Sequence, residues 1–467
     1  MKKILALIII GFLCFSTFPM FSVHVKASSG SAPEVVCVPF HGKQLAVPHD
    51  TWIGRETVLK GTAHDDDGDG TMVAYKWDFG DGYSTDWISG VNPYIIEAKH
   101  TYTGTMADGT PYGVGKYFTA WLYVKDNEGL IGKDSYFIAI RDKTLDVEVN
   151  VAIDDGLWWL HKQAYRYTSD GIDYARWSSY STYYTSATAE SVLAFEIQGH
   201  QPIGNPEEDP YVETVKRGLN YVFSQTRVVD ISAWGPGTGS PYGDPDTNGN
   251  DIGIGIASSQ EVYELGMVMM AITASGDPGL TANTGPTGVV GRTYKDILTD
   301  MVDLCAWGQN DYGSARGGWR YGWNYGSSDN SVSQWPMMAL EAAETNWGIL
   351  APSFVKTELD TYWLTYSQRS DGGFGYTGPD TPNIARTGTG IIGLNYIGLP
   401  ADNPRIMKAI NWLGNNWGEF GNYYGMYAVM KAMRTAHPEI TMVGTHDWYA
   451  EYSRYLVDHQ QADGGWP

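Results

Sequence analysis

Apolar positions fall into three successive patterns along the chain. Residues 4–15 form an unbroken apolar run behind Lys2 and Lys3, and Val25-Lys26-Ala27 follows with short residues at the −3 and −1 positions. That order of charge, apolar run and small-residue site is a secretory leader, so residues 1–27 are expected to be a signal peptide. From about 33 to 145 the pattern is strand-like. Segments 117–124 and 135–140 are rich in β-branched and aromatic residues and are bounded by Gly, Asp and Asn turns, which predicts a β-sandwich of about 100 residues. From Val147 the period becomes helical. Helix-length segments pair as 147–166 with 184–199, 208–226 with 257–274, 291–309 with 330–345, 352–368 with 384–397 and 402–416 with 422–436, leaving 446–461 alone. Segments such as 358–368 and 447–460 are amphipathic and suit an outer layer. Segments 259–274 and 387–399 are apolar and rich in small residues nearly all round, and suit a buried inner layer.

A repeat runs through the helical part. Gln368-Arg369-Ser370-Asp371-Gly372-Gly373-Phe374 and Gln460-Gln461-Ala462-Asp463-Gly464-Gly465-Trp466 share QxxDGG plus an aromatic, and lie 92 residues apart, or two units of 46. A degenerate middle copy stands at Trp417-Gly418-Glu419-Phe420, and Arg316-Gly317-Gly318-Trp319 is an earlier relative. Eleven helices in outer and inner alternation predict a ring of αα-hairpins, 147–467, that lacks its last helix. Pro467 falls where a twelfth helix would begin. The simplest expectation is a C-terminally incomplete fragment; the alternative is closure by the leading segment or a partner chain.

Composition narrows the function. The 53 acidic against 31 basic side chains give a formal charge of −22, and removing Lys2, Lys3 and Lys26 with the leader takes it to −25. Nucleic acid and anionic membrane surfaces need a basic footprint, so neither is an expected partner. No later apolar run is long enough to span a bilayer. The expected location is secreted or cell surface. Outside the leader only Cys37 and Cys305 remain, so no disulfide framework holds the fold.

Within 33–145, Tyr75-Lys76-Trp77-Asp78-Phe79-Gly80-Asp81-Gly82, His100-Thr101-Tyr102, Gly115-Lys116-Tyr117 and Val124-Lys125-Asp126 resemble the PKD domain, a family of Ig-like extracellular sandwiches. The resemblance implies a spacer or adhesion module and no chemistry. Trp77 and Phe79 alternate with Asp78, which points both rings to the core ahead of the Gly80-Asp81-Gly82 turn. Asp65, Asp66, Asp67 and Asp69 read either as a calcium loop or, more simply, as turn formers.

The QxxDGG loops, with Arg217-Gly218, Tyr221 and Gln225 matching the front of the same motif, resemble the terpenoid cyclase and protein prenyltransferase superfamily with its squalene cyclase repeats. The resemblance implies a six-hairpin α/α toroid over 147–467. It does not carry the family's chemistry across. The zinc ligands Asp, Cys and His fall on Asp329, Ser331 and Arg386, so two of three are replaced. The cyclase DxDD acid is not found in 147–467, where Ile153-Asp154-Asp155-Gly156 has the wrong order. The complement-type Cys-x-Glu-Gln is not supplied by Cys305-Ala306-Trp307-Gly308-Gln309. Catalysis is therefore not expected from these three chemistries.

A glycan-active toroid remains. Glu190, Glu261, Glu264, Asp329 and Arg386 lie near inner-helix starts as catalytic candidates, with Tyr263, Trp335 and Tyr424 as ligand-stacking surfaces. The same acids also serve as helix-start residues that stabilise the macrodipole. Asp244, Asp246 and Asn248 occupy positions 1, 3 and 5 of a loop with Gly249 at 6, a calcium-binding pattern whose twelfth position is Gly255 rather than Glu. The reading that results is an exported protein with a PKD spacer and a non-catalytic toroid that binds polysaccharide or a cell-surface protein. The alternative is a polysaccharide lyase or hydrolase, and a prenyl-substrate enzyme ranks third.

Overall fold

The computed structural model describes residues 30–38, 47–178, 183–235 and 242–467. The expected leader therefore lies outside the described residues, as does 236–241 of the long insertion. Strands β1 (Glu34–Val38), β3 (Glu56–His64) and β6 (Ile96–Thr101) form one sheet. The second, in the order β2-β8-β7-β4-β5, comprises β2 (His49–Thr51), β8 (Ile131–Ile140), β7 (Tyr117–Asp126), β4 (Met72–Asp78) and β5 (Ile88–Ser89). All pairs are antiparallel except β2 with β8. Trp77 and Phe79 are buried with Tyr102, Phe118, Leu122 and Tyr136 between the two sheets.

The two motifs of the sandwich meet in space. Phe79 stacks on His100 with ring centroids 4.2 Å apart, His100 Nε2 lies 2.7 Å from Asp81 Oδ2, and the Tyr102 hydroxyl donates to the Phe79 carbonyl at 2.9 Å. Asp81 is almost fully buried, so its charge needs that imidazole. The turn itself demands glycine at Gly80, whose φ is +82 and whose added Cβ would lie 2.5 Å from the Thr119 carbonyl oxygen. Asp65 and Asp69 accept from nearby backbone N–H groups and from Thr71, as turn formers do.

The rest is an α/α toroid. Its outer layer is α1 (Leu145–Gln163), α3 (Pro210–Ser224), α5 (Tyr294–Trp307), a rod of α7 (Ser353–Glu358), the π-helical Leu359–Leu364 and α8 (Thr365–Ser367), then α10 (Pro404–Asn415) and α12 (Trp448–His459). The inner helices α2 (Tyr184–Glu196), α4 (Glu261–Ala274), α6 (Asn330–Trp347), α9 (Ile384–Tyr396) and α11 (Tyr423–Arg434) pack side by side in that order. Burial follows the predicted division. On α10 only Ile406, Ala409, Ile410 and Leu413 are buried, an i, i+3, i+4, i+7 stripe, whereas α4 is buried on nearly every side. Side-chain oxygens of Thr144, Asp209, Thr293, Asp329, Asn383, Asn403, Asn422 and Asp447 accept the first free N–H groups and fix where helices begin.

Two hairpins in this region were not expected from the helical period. β9 (Tyr165–Ser169) with β10 (Ile172–Arg176) joins α1 to α2, and β11 (Thr226–Asp230) with β12 (Ile252–Ile256) joins α3 to α4 and carries the insertion.

The repeat glutamines explain themselves in the structure. Gln309 Nε2 donates to the Gly317 carbonyl at 2.8 Å and to Val355 of the next outer rod at 3.1 Å. Gln368 does the same to Gly372 and Arg405, and Gln460 to Gly464 and Ala152, the last two both at 2.8 Å. Each glutamine thus ties its own DGG-type turn to the following outer helix, and the last ties α12 back to α1. Gly317, Gly372 and Gly464 all have positive φ, and a Cβ on any of them would meet a backbone carbonyl oxygen of the adjacent outer helix within 2.4 Å. Trp319 and Phe374 are fully buried behind two of these turns.

The sandwich is docked on the toroid through charge. Asp155 of α1 pairs with Lys60 Nζ at 2.8 Å and with Arg55, and Asp154 lies 2.6 Å from His49 Nδ1. Glu97 accepts from Trp158 Nε1 at 2.7 Å and pairs with Lys162 at 3.2 Å. Lys60 is fully buried. Burial alone would raise the Asp154 carboxyl, but Lys60 and His49 outweigh it and hold it down at about 2. The expected spacer is thus held against α1 by buried ion pairs. Cys37 lies in the sandwich core and Cys305 in α5, with no bridge between them.

Candidate functional site

The N-terminal halves of α2, α4, α6 and α11 line a cavity of about 550 Å³. Ser186 and Glu190 come from α2, Gln260, Tyr263 and Met267 from the start of α4, Ser331 from α6 and Tyr424 from α11, while Tyr183 and Tyr321 enter on loops. Positions 260, 263 and 267 share one helix face, which is why one helix supplies three of them. Gln260 Nε2 donates to the Tyr183 hydroxyl at 3.0 Å, and the Tyr424 hydroxyl donates to the Ser331 carbonyl at 2.9 Å. Trp335 packs beneath, its ring 5.0 Å from Tyr263 and 6.0 Å from Tyr427.

Glu190 is the carboxyl of this wall. Burial raises it to about 7, with Lys431 of α11 opposing the shift. Burial lowers Lys431 in turn, with Glu190 opposing. Tyr263 is pushed up to about 12 by burial and by Glu190, so it remains a neutral donor at any physiological pH. Among the described residues, neither Glu190 Oε1 nor the Tyr427 hydroxyl finds a hydrogen-bond partner. One helical repeat further along, a second cavity of about 560 Å³ opens at the other ends of the same helices, lined by Glu196, Met270, Thr273, Asn346 and Lys431. Burial holds the Glu196 carboxyl well above its usual range.

The residues singled out in the sequence separate into two sets. Glu190, Tyr263 and Tyr424 come together in the cavity wall. Trp335 belongs with them but is 3% exposed, so it is the floor beneath Tyr263 and not an open stacking face. The other candidates are occupied structurally. Glu261 takes both Arg227 nitrogens at 2.7 and 2.6 Å and the Ile256 N–H at 3.1 Å. Glu264 accepts from Ser258 Oγ at 2.8 Å. Asp329 caps α6, accepts from Ser331 Oγ at 2.7 Å and pairs with Arg320 at 3.0 Å. Arg386 donates to the Thr381 carbonyl at 2.8 Å and lies 4.8 Å over the Tyr376 ring.

In the insertion, Asp244 accepts the Asp246 N–H, and Asp246 accepts the N–H groups of Asn248, Gly249 and Asp251. Asn248 donates to Asp300 of α5 at 2.7 Å. These oxygens shape the turn and latch it to α5. Among the described residues, no three His, Cys, Asp or Glu side chains converge as a metal site. Tyr183, Tyr321, Gln260 and Lys431 had no sequence signal of their own, since Tyr183 and Tyr321 sit on loops, Gln260 just ahead of α4 and Lys431 inside α11, all outside the repeat. No described helix is long and apolar enough to cross a membrane.

No family model matches the chain, and no curated protein matches it. Among solved structures, carbohydrate-binding modules of the β-sandwich superfamily match at 21% identity and TM-score 0.17, over 25% of this chain and 37% of that one. The chain thus spans about a third of that structure. The PKD1 domain of Vibrio anguillarum Epp matches at 19% identity and TM-score 0.16, over 24% of this chain and 98% of its own. A family 76 glycoside hydrolase from a bovine Bacteroides thetaiotaomicron strain matches at 9% identity and TM-score 0.42, over 89% of this chain and 90% of its own. At these TM-scores the likenesses carry no argument about chemistry.

Proposed function

We propose that this is an exported protein whose toroid binds a neutral saccharide in the tyrosine-walled cavity without cleaving it. The observation that carries the reading is the pairing of four tyrosines with one carboxyl, Glu190, in a cavity of about 550 Å³. Tyrosine offers an apolar ring face for a sugar's C–H face and a hydroxyl for its polar edge. A carboxyl raised to about 7 is a donor when protonated and an acceptor when ionised, and either suits a hydroxyl-rich ligand. Hydrolysis by the usual carboxylate pair needs a second acid in the same cavity, and among the described residues lining it Glu190 has no acidic companion. We assign the leader to 1–27, the PKD-type sandwich to 33–145 and a toroid of the terpenoid cyclase type to 147–467. The glutamine ties from each turn to the next outer helix support that last assignment.

Calorimetric titration of the full chain against neutral oligosaccharides tests the proposal. Tyr263→Ala is expected to weaken binding at least tenfold, with no reducing ends or unsaturated products released by the parent. Turnover that disappears in Glu190→Gln would instead establish the hydrolase or lyase reading, for which Glu190 has the raised acidity of a general acid.

A further inference from the structure

We infer that the outward face of the five-stranded sheet is a second binding surface, which takes a linear anionic polysaccharide. Along β7, Phe118, Ala120, Leu122 and Val124 point into the sandwich core, so Tyr117, Thr119, Trp121, Tyr123 and Lys125 point out. Register places Lys133 and Ser135 of β8 opposite Tyr123 and Trp121, and Lys76 of β4 opposite Tyr123 on its other side. Trp121 and Tyr123 present rings with centroids 6.4 Å apart. Lys133 Nζ stands 4.9 Å over the Trp121 ring, and Lys125 Nζ 4.6 Å over that of Trp87, itself 39% exposed. The toroid docks on β3 and β6 of the other sheet and on His49 of the edge strand β2, while on this face Lys133 is exposed and Lys76, Trp121, Tyr123 and Lys125 are half-buried.

Charge selects the occupant. The chain is at −22, yet Lys76, Lys125 and Lys133 cluster on one face, and among the described residues none of them has an ion-pair partner. Two acids share this face by register: Asp78 opposite Trp121 turns one oxygen to the Gly80 N–H at 2.9 Å, and Asp50 of β2, in line with Ala139 and Tyr117, pairs with Arg141 at 2.8 Å. A ring beside an unneutralised ammonium matches a sugar that offers a C–H face and a carboxylate together. A nucleic acid holds its charge on the phosphates, apart from the flat faces of its bases, so a ring and the ammonium directly above it are not met by one unit of that chain. A uronate polymer carries its carboxylate on the same ring that offers the C–H face, so one sugar meets both a ring and an ammonium of this surface.

Affinity electrophoresis of the full chain in gels holding polygalacturonate, a neutral glucan or a single-stranded oligonucleotide tests this. Polygalacturonate is expected to retard the protein, and 0.5 M salt to abolish most of the retardation, on the order expected from screening. Trp121→Ala and Lys133→Gln should each weaken it about tenfold. The exposed Lys133→Gln change keeps the test sound if Trp121→Ala melts early. Tyr263→Ala in the toroid cavity should leave retardation unchanged, which separates this surface from the saccharide site proposed above. Equal retardation by neutral glucan, tighter binding of the oligonucleotide, or parent-like retardation of Lys133→Gln would overturn the inference.

Discussion

Glu190 shows how one buried carboxyl makes the stability of the fold depend on pH. Its ordinary range lies near 4.5 and its folded value near 7, so the unfolded chain releases that proton first as pH rises. Stability is therefore lost between about pH 4.5 and 7 and stays lower above it. Glu190→Gln removes the penalty. It should raise stability at pH 8 by about 1–3 kcal/mol and leave it nearly unchanged at pH 4. Melting temperatures across that range check this, and a difference independent of pH would show that burial does not govern Glu190. At this scale the sequence was partly legible. Glu190, Tyr263 and Tyr424 could be singled out because they follow inner-helix starts. Glu261 and Asp329 could be singled out for the same reason, yet Arg227 and Arg320 claim them, and neither arginine is close to its partner in the helical repeat.

The repeat turn is the unit that builds the elements into a ring. Each glutamine joins two carbonyls that would otherwise be left without their bond at a tight junction. Gln460→Leu removes both bonds and leaves the Ala152 and Gly464 carbonyls without that donor. A loss of about 1–3 kcal/mol is expected, read as a lowered melting temperature. An unchanged melt would mean that the ties are incidental to closure. Helix positions were readable from the 3.6-residue period, and the eleven expected rods match the eleven observed among the described residues, with α7, the π-helical stretch and α8 as one rod. The hairpin of β9 and β10 escaped because the two strands pair only with each other and most of their side chains are half-exposed or exposed, so no alternation of buried and open positions marks them.

At the scale of the whole molecule, buried ion pairs join the sandwich to the toroid. Lys60 and Asp155 are 95 residues apart and sit within patterns of different period, so no local signal pairs them. The structure makes them interdependent, because Lys60 is fully buried and an ammonium in that position without its carboxylate is costly. Asp155→Ala should destabilise the protein by about 3–5 kcal/mol and free the sandwich for limited proteolysis near residues 141–144. Retained protease resistance would show that Arg55 and Lys60 find another anchor. The neighbouring Asp154, held at about 2, adds stability above pH 4 that is lost only as pH falls through about 2.

The tie from Gln460 to Ala152 also sets the order of events during folding. It joins residues 308 apart, and bringing the ends of such a loop together costs about 5 kcal/mol in chain entropy. The hairpins and each pair of adjacent inner helices close far shorter loops, so they form first and the ring is sealed last. Until then α1 and α12 present their mating faces separately, and most of the helices can gather before that final contact is made.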